Sequence, residues 1–323
     1  MCKLPKVSVV MPAFNHANYI EMGIKSVLGQ SYANIQLIVV DDGSTDNTWE
    51  IIERLNKDGS FVSIRKKNGG VCSALNRGIC EADGDFIAVI ASDDRFLENK
   101  IARQVDFFLD QPENVGLVHS GAYLDYQNNE GLVDITGSYP PAIGSCLDEI
   151  LTQKFRIVAP TIIFRKSVYD KVGGFDEELE AEDVDFFMRV AQAGYHFAYI
   201  NEPLVIKTVT DNSAGSNFEK LIKVHENILE KHKENITAEQ YASIKMAMYD
   251  HLIILSASSG NYMLAYKTAF SLTQERRSLR PLIGFSFWST RALIVRVLPR
   301  SCRHKLRLLR SWLIQRKKWA FVR

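Results

Sequence analysis

Apolar residues in the first part of the chain follow two alternating rhythms. Short β-rich runs at Val7 to Met11, Ile35 to Val40, Phe61 to Ile64 and Phe86 to Ala91 each have the length of a strand. Between them the spacing becomes helical, first at Ile20, Ile24, Val27 and Leu28, then at Trp49, Ile52 and Leu55, then over Val71 to Cys80. Pro12 should stop the first strand, and Thr45 or Asp46 should cap the second helix. Strand and helix alternating through short links predict an α/β domain whose mostly parallel central sheet carries helices on both faces. Beyond residue 110 the pattern loosens. Val115 to Tyr123, Thr161 to Phe164 and Tyr195 to Ile200 suit strands, Glu182 to Ala193 suits a helix, and 217–272 is helical in character. The expected division is a domain over 5–215, a helical C-terminal extension over 216–275 and a tail over 276–323.

In such sheets ligands bind outside the carboxyl ends of the strands. Three polar stretches fall there: "PAFN" at 12–15, "DDGSTD" at 41–46 and "SDD" at 92–94. Adjacent carboxylates repel one another and are costly to desolvate, so Asp93 and Asp94 at the end of an apolar run call for a counter-charge. A hard divalent cation shared with a substrate's phosphates supplies one; capping of a helix from about Asn99 is the simpler alternative. Asp41 and Asp42 repeat the pattern, either as acceptors for a nucleobase or ribose or as a turn that caps the next helix. The glycines of "KNGGVCSALNRG" permit close backbone approach to a ligand, although the stretch matches neither common Gly-rich phosphate fingerprint. In "GGFDEELEAEDVDFFMRV" seven acids, Asp176, Glu177, Glu178, Glu180, Glu182, Asp183 and Asp185, fall within ten positions. Acids there suit the positive end of a helix, and they equally suit a general base.

Taken together, "VSVVMPAFN", "VVDDGSTDNT", "NGGVCSALNRGI", "GDFIAVIASDD" and "GGFDEELEAEDVDFFMRV", in this order and spacing, resemble the family 2 glycosyltransferases over about residues 5 to 200. The resemblance implies the GT-A fold, a Rossmann-like, mostly parallel sheet. It also implies inverting transfer of a sugar from a nucleotide-diphosphate donor, most commonly a uridine diphosphate sugar. Carried onto this chain, Pro12, Ala13, Phe14, Asn15, Asp41 and Asp42 would hold the nucleoside, with Asp42 facing the base. Asn68 and Gly70 would line the same pocket. Asp93 would bind the divalent cation, Mn2+ or Mg2+, flanked by Ser92 and Asp94. Asp183 would be the general base, with Glu182 adjacent. Two positions depart from the family pattern. Ala91 stands where a further Asp is common, and Thr210 stands about where a metal-touching His is often found.

Composition changes this picture in one place. The chain of 323 residues is 46% hydrophobic and 24% charged, ordinary for a globular protein with a sizeable core. Its five cysteines, Cys2, Cys72, Cys80, Cys146 and Cys302, form no close pair, and the first strand pattern begins too early for a signal peptide, so a reduced, cytoplasmic setting is expected. The net charge of +1, however, hides a segregation: fourteen Lys and Arg and no Asp or Glu lie between Arg276 and Arg323, leaving 25 basic against 38 acidic residues before them. Around Ser301 to Leu313, Arg303, Arg307 and Arg310 share one side of a helical wheel, with Leu306, Leu309, Trp312 and Leu313 in the broad remainder, where Lys305 could snorkel. That pattern suits an anionic membrane surface on the cytoplasmic side, or packing on the acidic body. No nucleic-acid-binding module accompanies the charge. The expected function is sugar transfer to a glycan or lipid-linked acceptor in surface-polysaccharide or lipopolysaccharide assembly. The alternative is a non-catalytic nucleotide-sugar-binding protein of the same fold.

Overall fold

A computed structural model describes residues 4–127, 131–138, 140–151, 157–179, 182–209 and 226–238, with 241, 242, 245 and 249. The chain divides into one unit over Met1–Ala214 and another over Gly215–Arg323. In the second unit 226–232 is helical; most of the expected helix over 217–272, and the whole basic tail, lie outside the described residues.

The first unit opens with the alternation that the hydrophobic pattern predicts. In order come β1 (Val7–Ala13), α1 (Ile20–Leu28), β2 (Ile35–Asp41), α2 (Thr48–Leu55), β3 (Val62–Arg65), α3 (Val71–Cys80) and β4 (Phe86–Val89). A two-residue strand, β5 (Arg95–Phe96), then leads into α4 (Lys100–Leu109). The long β6 (Val115–Asp125) folds against the short β7 (Leu132–Asp134), followed by α5 (Leu147–Leu151), β8 (Ile163–Arg165), α6 (Lys166–Val172), α7 (Glu182–Gln192) and β9 (His196–Thr208). The strands form one sheet in the order β3-β2-β1-β4-β8-β6-β9-β5, with β7 beside β6. Strands β3, β2, β1 and β4 run parallel, and a helix joins each strand to the next in sequence. Strand β8 enters antiparallel between β4 and β6, and β9 returns parallel to β6.

Two local expectations need correction. Pro12 does not end β1, which continues to Ala13 in register with Asp41. The backbone of Val10 faces β4, where it accepts from Ile90 N–H at 3.1 Å, and the β1–β4 ladder ends there. Pro12 faces the same side, so its missing N–H leaves no ladder bond unmade. Asp93 and Asp94 do not cap a helix either, because β5 separates them from Asn99, the residue that precedes α4.

Parallel central strands are covered on both faces and therefore apolar throughout: Val7, Val9, Val10 and Met11 are fully buried. Packing is close where α3 crosses β1 and β2. A Cβ on Gly78 would lie 2.5 Å from Val10 Cγ1 and 3.1 Å from Val40 Cγ2. Gly78→Ala should therefore destabilise the domain by about 1–3 kcal/mol, the usual cost of overpacking, despite the better helix propensity of Ala. Urea unfolding measures this; an unchanged midpoint would mean that α3 withdraws without cost. Helix α1 also packs closely on the acidic loop, since a Cβ on Gly23 would meet the carbonyls of Ser92 and Asp94 at 3.1 and 3.3 Å.

Candidate functional site

The carboxyl ends of β1, β2 and β4 lie side by side, and their loops are joined by side chains. Asn15, with φ at +53°, donates its N–H to Ser44 Oγ at 3.0 Å and accepts from Thr45 N–H on Oδ1 at 2.8 Å. A left-handed backbone suits Asn among non-Gly residues, which explains Asn at the end of "PAFN". Asp46 binds the same two loops together, taking Ala17 N–H at 3.1 Å and Thr48 N–H at 3.0 Å. The expected cap at Thr45 or Asp46 is not found, since Asn47 precedes α2 and its side chain makes no capping bond; burial would raise the Asp46 carboxyl, but the Thr48 hydroxyl and these two N–H groups hold it below the usual range. Phe14 projects beside them, 43% exposed.

The two acids that end β2 differ in their surroundings. Asp42 accepts from Lys66 Nζ at 2.6 Å, from Gly69 N–H at 3.0 Å and from Gly70 N–H at 2.8 Å. It folds the "NGG" turn back onto β2, and Gly70, at φ +88°, supplies a backbone that other residues rarely adopt. Gly43 has both reasons to be glycine: φ is +76°, and a Cβ would lie 2.9 Å from Asn68 N. Asp41 is fully buried, with Oδ2 accepting from Ser44 N–H at 3.3 Å and facing Arg65 Nε at 3.4 Å. Its Oδ1 is buried and has no hydrogen-bond partner among the described residues. A buried polar atom without a partner costs about 1–3 kcal/mol, so Oδ1 is an open acceptor at this strand end.

The pair that ends β4 is divided in the same way. Asp94 is fully buried; its Oδ1 accepts Thr208 N–H at 2.8 Å, and Lys207 Nζ stands 3.9 Å from Oδ2. Burial pushes its carboxyl up to about 7, opposed by the Lys207 cation and reinforced by the charge on Asp93. Asp94 thus fastens the end of β9 to the acidic loop. Asp93 is half-buried, and no described residue hydrogen-bonds to its carboxylate. Beside it, buried Ser92 places its hydroxyl 2.7 Å from His16 Nδ1. No group of three or more His, Cys, Asp and Glu that could hold a metal occurs among the described residues. A single available carboxylate still fits Mg2+ or Mn2+, which commonly bind one or two carboxylates together with substrate phosphates and water.

The acid-rich segment resolves into separate duties. Asp176 accepts Glu178 N–H at 2.9 Å, and Glu177 accepts from Asn76 Nδ2 at 2.9 Å. Asp185, 1% exposed, pairs with Arg189 at 2.7 Å, one helical turn on. Asp183 is half-buried in the first turn of α7, with Oδ1 accepting the N–H of Val184 at 2.8 Å. Glu182 opens α7, and Glu180 lies outside the described residues.

The structure therefore gathers Asn15, Asp41, Asp42, Gly70, Ser92, Asp93 and Asp94 at one end of the parallel strands. Sequence reasoning missed His16 and Lys66 there, and Asn76 on α3, which bonds to Tyr169, Phe175 and Glu177. His16 carries no local signal beyond following "PAFN", and Lys66 looks like one of many surface lysines until β3 aligns with β2.

Comparison with known proteins follows the same outline. Residues 8–173 match the family model described as Glycosyl transferase family 2. An uncharacterized glycosyltransferase of Rickettsia typhi is 28% identical over 84% of this chain and 86% of its own length. The structure of S. aureus TarS 1-349 in complex with UDP-GlcNAc aligns with TM-score 0.61 at 21% identity, covering 80% of this chain and 75% of that one. Mannosyltransferase PcManGT from Pyrobaculum calidifontis, in complex with GDP-Man and Mn2+, aligns with TM-score 0.59 at 17% identity over 97% of this chain and 87% of the other. At such identities the structures speak for a shared fold.

Proposed function

This chain belongs to glycosyl transferase family 2, and on that premise we propose that it transfers a sugar, with inversion, from a uridine diphosphate sugar to a hydroxyl of a glycan or lipid-linked acceptor. The carrying observation is the division of labour at the end of β4, where Asp94 is buried with Oδ1 bonded to Thr208 N–H, while Asp93 keeps a half-buried carboxylate that no described residue engages. The donor of a solved structural neighbour, UDP-GlcNAc, and the Mn2+ of another support the donor class and the cation.

In this reading Phe14 and the Asn15 turn bear on the nucleoside, while Asp41 Oδ1 accepts a donor hydrogen and Asp42 keeps the "NGG" turn in place. Asp93 would hold the divalent cation, which would supply positive charge to offset the negative charge developing on the departing diphosphate. Asp183 takes the proton of the acceptor hydroxyl as the acceptor oxygen bonds to the anomeric carbon and the bond from that carbon to the diphosphate oxygen breaks. Attack from the face opposite the leaving group inverts the centre.

A panel of UDP-Glc, UDP-Gal, UDP-GlcNAc, UDP-GalNAc and GDP-Man, each with and without Mn2+, tests the reading through thermal stabilisation and release of nucleotide diphosphate. Metal-dependent stabilisation by a uridine donor is expected. Indifference to the whole panel would sink the proposal.

The tail bears on the acceptor. Among the described residues no helix is long and apolar enough to cross a membrane. Fourteen cationic residues interleaved with Trp288, Trp312 and Trp319 suit peripheral attachment to an anionic bilayer, at roughly 1 kcal/mol per Lys or Arg near the surface. The whole chain should co-sediment with anionic liposomes at low salt and less so as salt is added, while a chain ending at Gln274 should not. The shortened chain should still bind donor. Failure of both chains to sediment would favour a tail packed on the acidic body.

A further inference from the structure

We propose that Asn76 is a positioning residue: it sets Asp183 at the acceptor by fixing the loop that leads into α7, and the inference rests on the reading of Asp183 as general base. Helix α3, which carries Asn76, starts from the "NGG" turn that Asp42 holds, so one end of the helix belongs to the donor site. Asn76 reaches from its flank to residues about a hundred positions later. Its Nδ2 donates to Phe175 O at 2.8 Å and to Glu177 Oε1 at 2.9 Å. Its Oδ1 accepts Phe175 N–H at 2.9 Å and the Tyr169 hydroxyl at 2.8 Å. Both faces of the amide are engaged, and the paired N–H and C=O of Phe175 leave only one way for it to point.

The loop has little latitude. A Cβ on Gly174 would lie 2.8 Å from Asn76 Oδ1 and 2.8 Å from the Tyr169 oxygen, so the backbone itself presses on the clasp. One turn earlier on α3, Cys72 Sγ donates to Leu179 O at 3.2 Å, four residues before Asp183. From the other side, Arg189 of α7 donates to Val172 O at 2.8 Å, Gly173 O at 3.0 Å and Gly174 O at 2.8 Å. Arg189 is anchored in turn by Asp185, two positions beyond Asp183 on the same helix. Residues 172–179 are thus gripped between the helix that begins at the donor site and the helix that bears the base. Amide-to-backbone bonds define the separation of the two more sharply than apolar contact, because they fix direction as well as distance.

The test compares Asn76→Ala, Tyr169→Phe, Asp183→Asn and the double variant Asn76→Ala with Asp183→Asn. Each is measured for UDP affinity in Mn2+ by calorimetry and for nucleotide diphosphate release from the uridine donor that the panel identifies. Asn76→Ala should keep UDP affinity within about twofold, since the Asp42 clasp is untouched, while release falls by up to about 10²-fold, the cost of a misplaced catalytic group. Tyr169→Phe deletes one bond and little packing, so it should fold as the parent does and show a smaller loss of the same kind. The double variant should be no slower than Asp183→Asn alone, because a residue that acts through Asp183 has nothing further to lose. Losses that multiply in the double variant, or parental rates per UDP-binding site in both Asn76→Ala and Tyr169→Phe, would overturn the proposal. A parental rate in Asp183→Asn by itself would instead remove the base reading on which it rests.

Discussion

Asp183→Asn should leave donor binding nearly intact and slow transfer by about 10²- to 10⁴-fold, the usual worth of a positioned general base. Asn keeps the size of the side chain and its acceptor for Val184 N–H, so the first turn of α7 should persist. What it loses is the capacity to take a proton. Two of the neighbouring acids are poor substitutes. Asp185 is buried against Arg189, and Glu177 is drawn away by Asn76. Calorimetry with UDP and Mn2+ separates binding from chemistry, and steady-state release of UDP gives the rate. If the variant turns over at the parental rate with unchanged binding, Asp183 serves only to start its helix.

The pair at the end of β4 should come apart under substitution. Asp93→Ala removes the one carboxylate there that no described residue engages. Its Mn2+-dependent affinity for UDP should fall by at least the roughly 10- to 100-fold that loss of even an outer partner costs at metal sites. Stability should barely change, because the side chain supports nothing else. Asp94→Ala should show the converse. It strands the buried N–H of Thr208, which Asp94 Oδ1 accepts at 2.8 Å, and should cost about 1–3 kcal/mol in urea unfolding. A variant at 93 that loses stability but not metal-dependent affinity would invert the assignment of the two roles.

The hydrophobic pattern discloses the parallel half of the sheet because β1, β2 and β4 are largely buried on both faces and each crossover is local. Helix α3 over Val71–Cys80 and β2 from Ile35 follow directly from that. The second half is less legible for physical reasons. Strand β5 is two residues long, too short for any period, and it exists only because Leu204 to Ile206 returns to pair with it. Strand β9 runs on to Thr208 through Glu202 and Pro203, polar and rigid residues that local propensity places outside strands. In the site, the acids at 41, 42, 93 and 94 are visible in sequence, but which partners each carboxylate takes is not. That choice is made by distant partners, Gly69 and Gly70 for Asp42 and Thr208 for Asp94. Asn76 is hidden for the same reason. An Asn in a helix gives no sign that its amide will meet a loop a hundred residues away.

The antiparallel pairing of Arg95 with Ile206 and of Phe96 with Val205 closes a span of more than a hundred residues. In a chain made from its N-terminus, the four parallel strands exist long before this closure can form, and contacts so far apart in sequence are also slow to find. Until Thr208 leaves the ribosome, Asp94 has no backbone partner and stays in water with Asp93. The parallel half can therefore take shape early, but the acidic loop gains its asymmetry only near the end of the domain's synthesis. A nascent chain that stalls before residue 208 would carry the parallel strands without the strand end that buries one acid and leaves the other half-exposed.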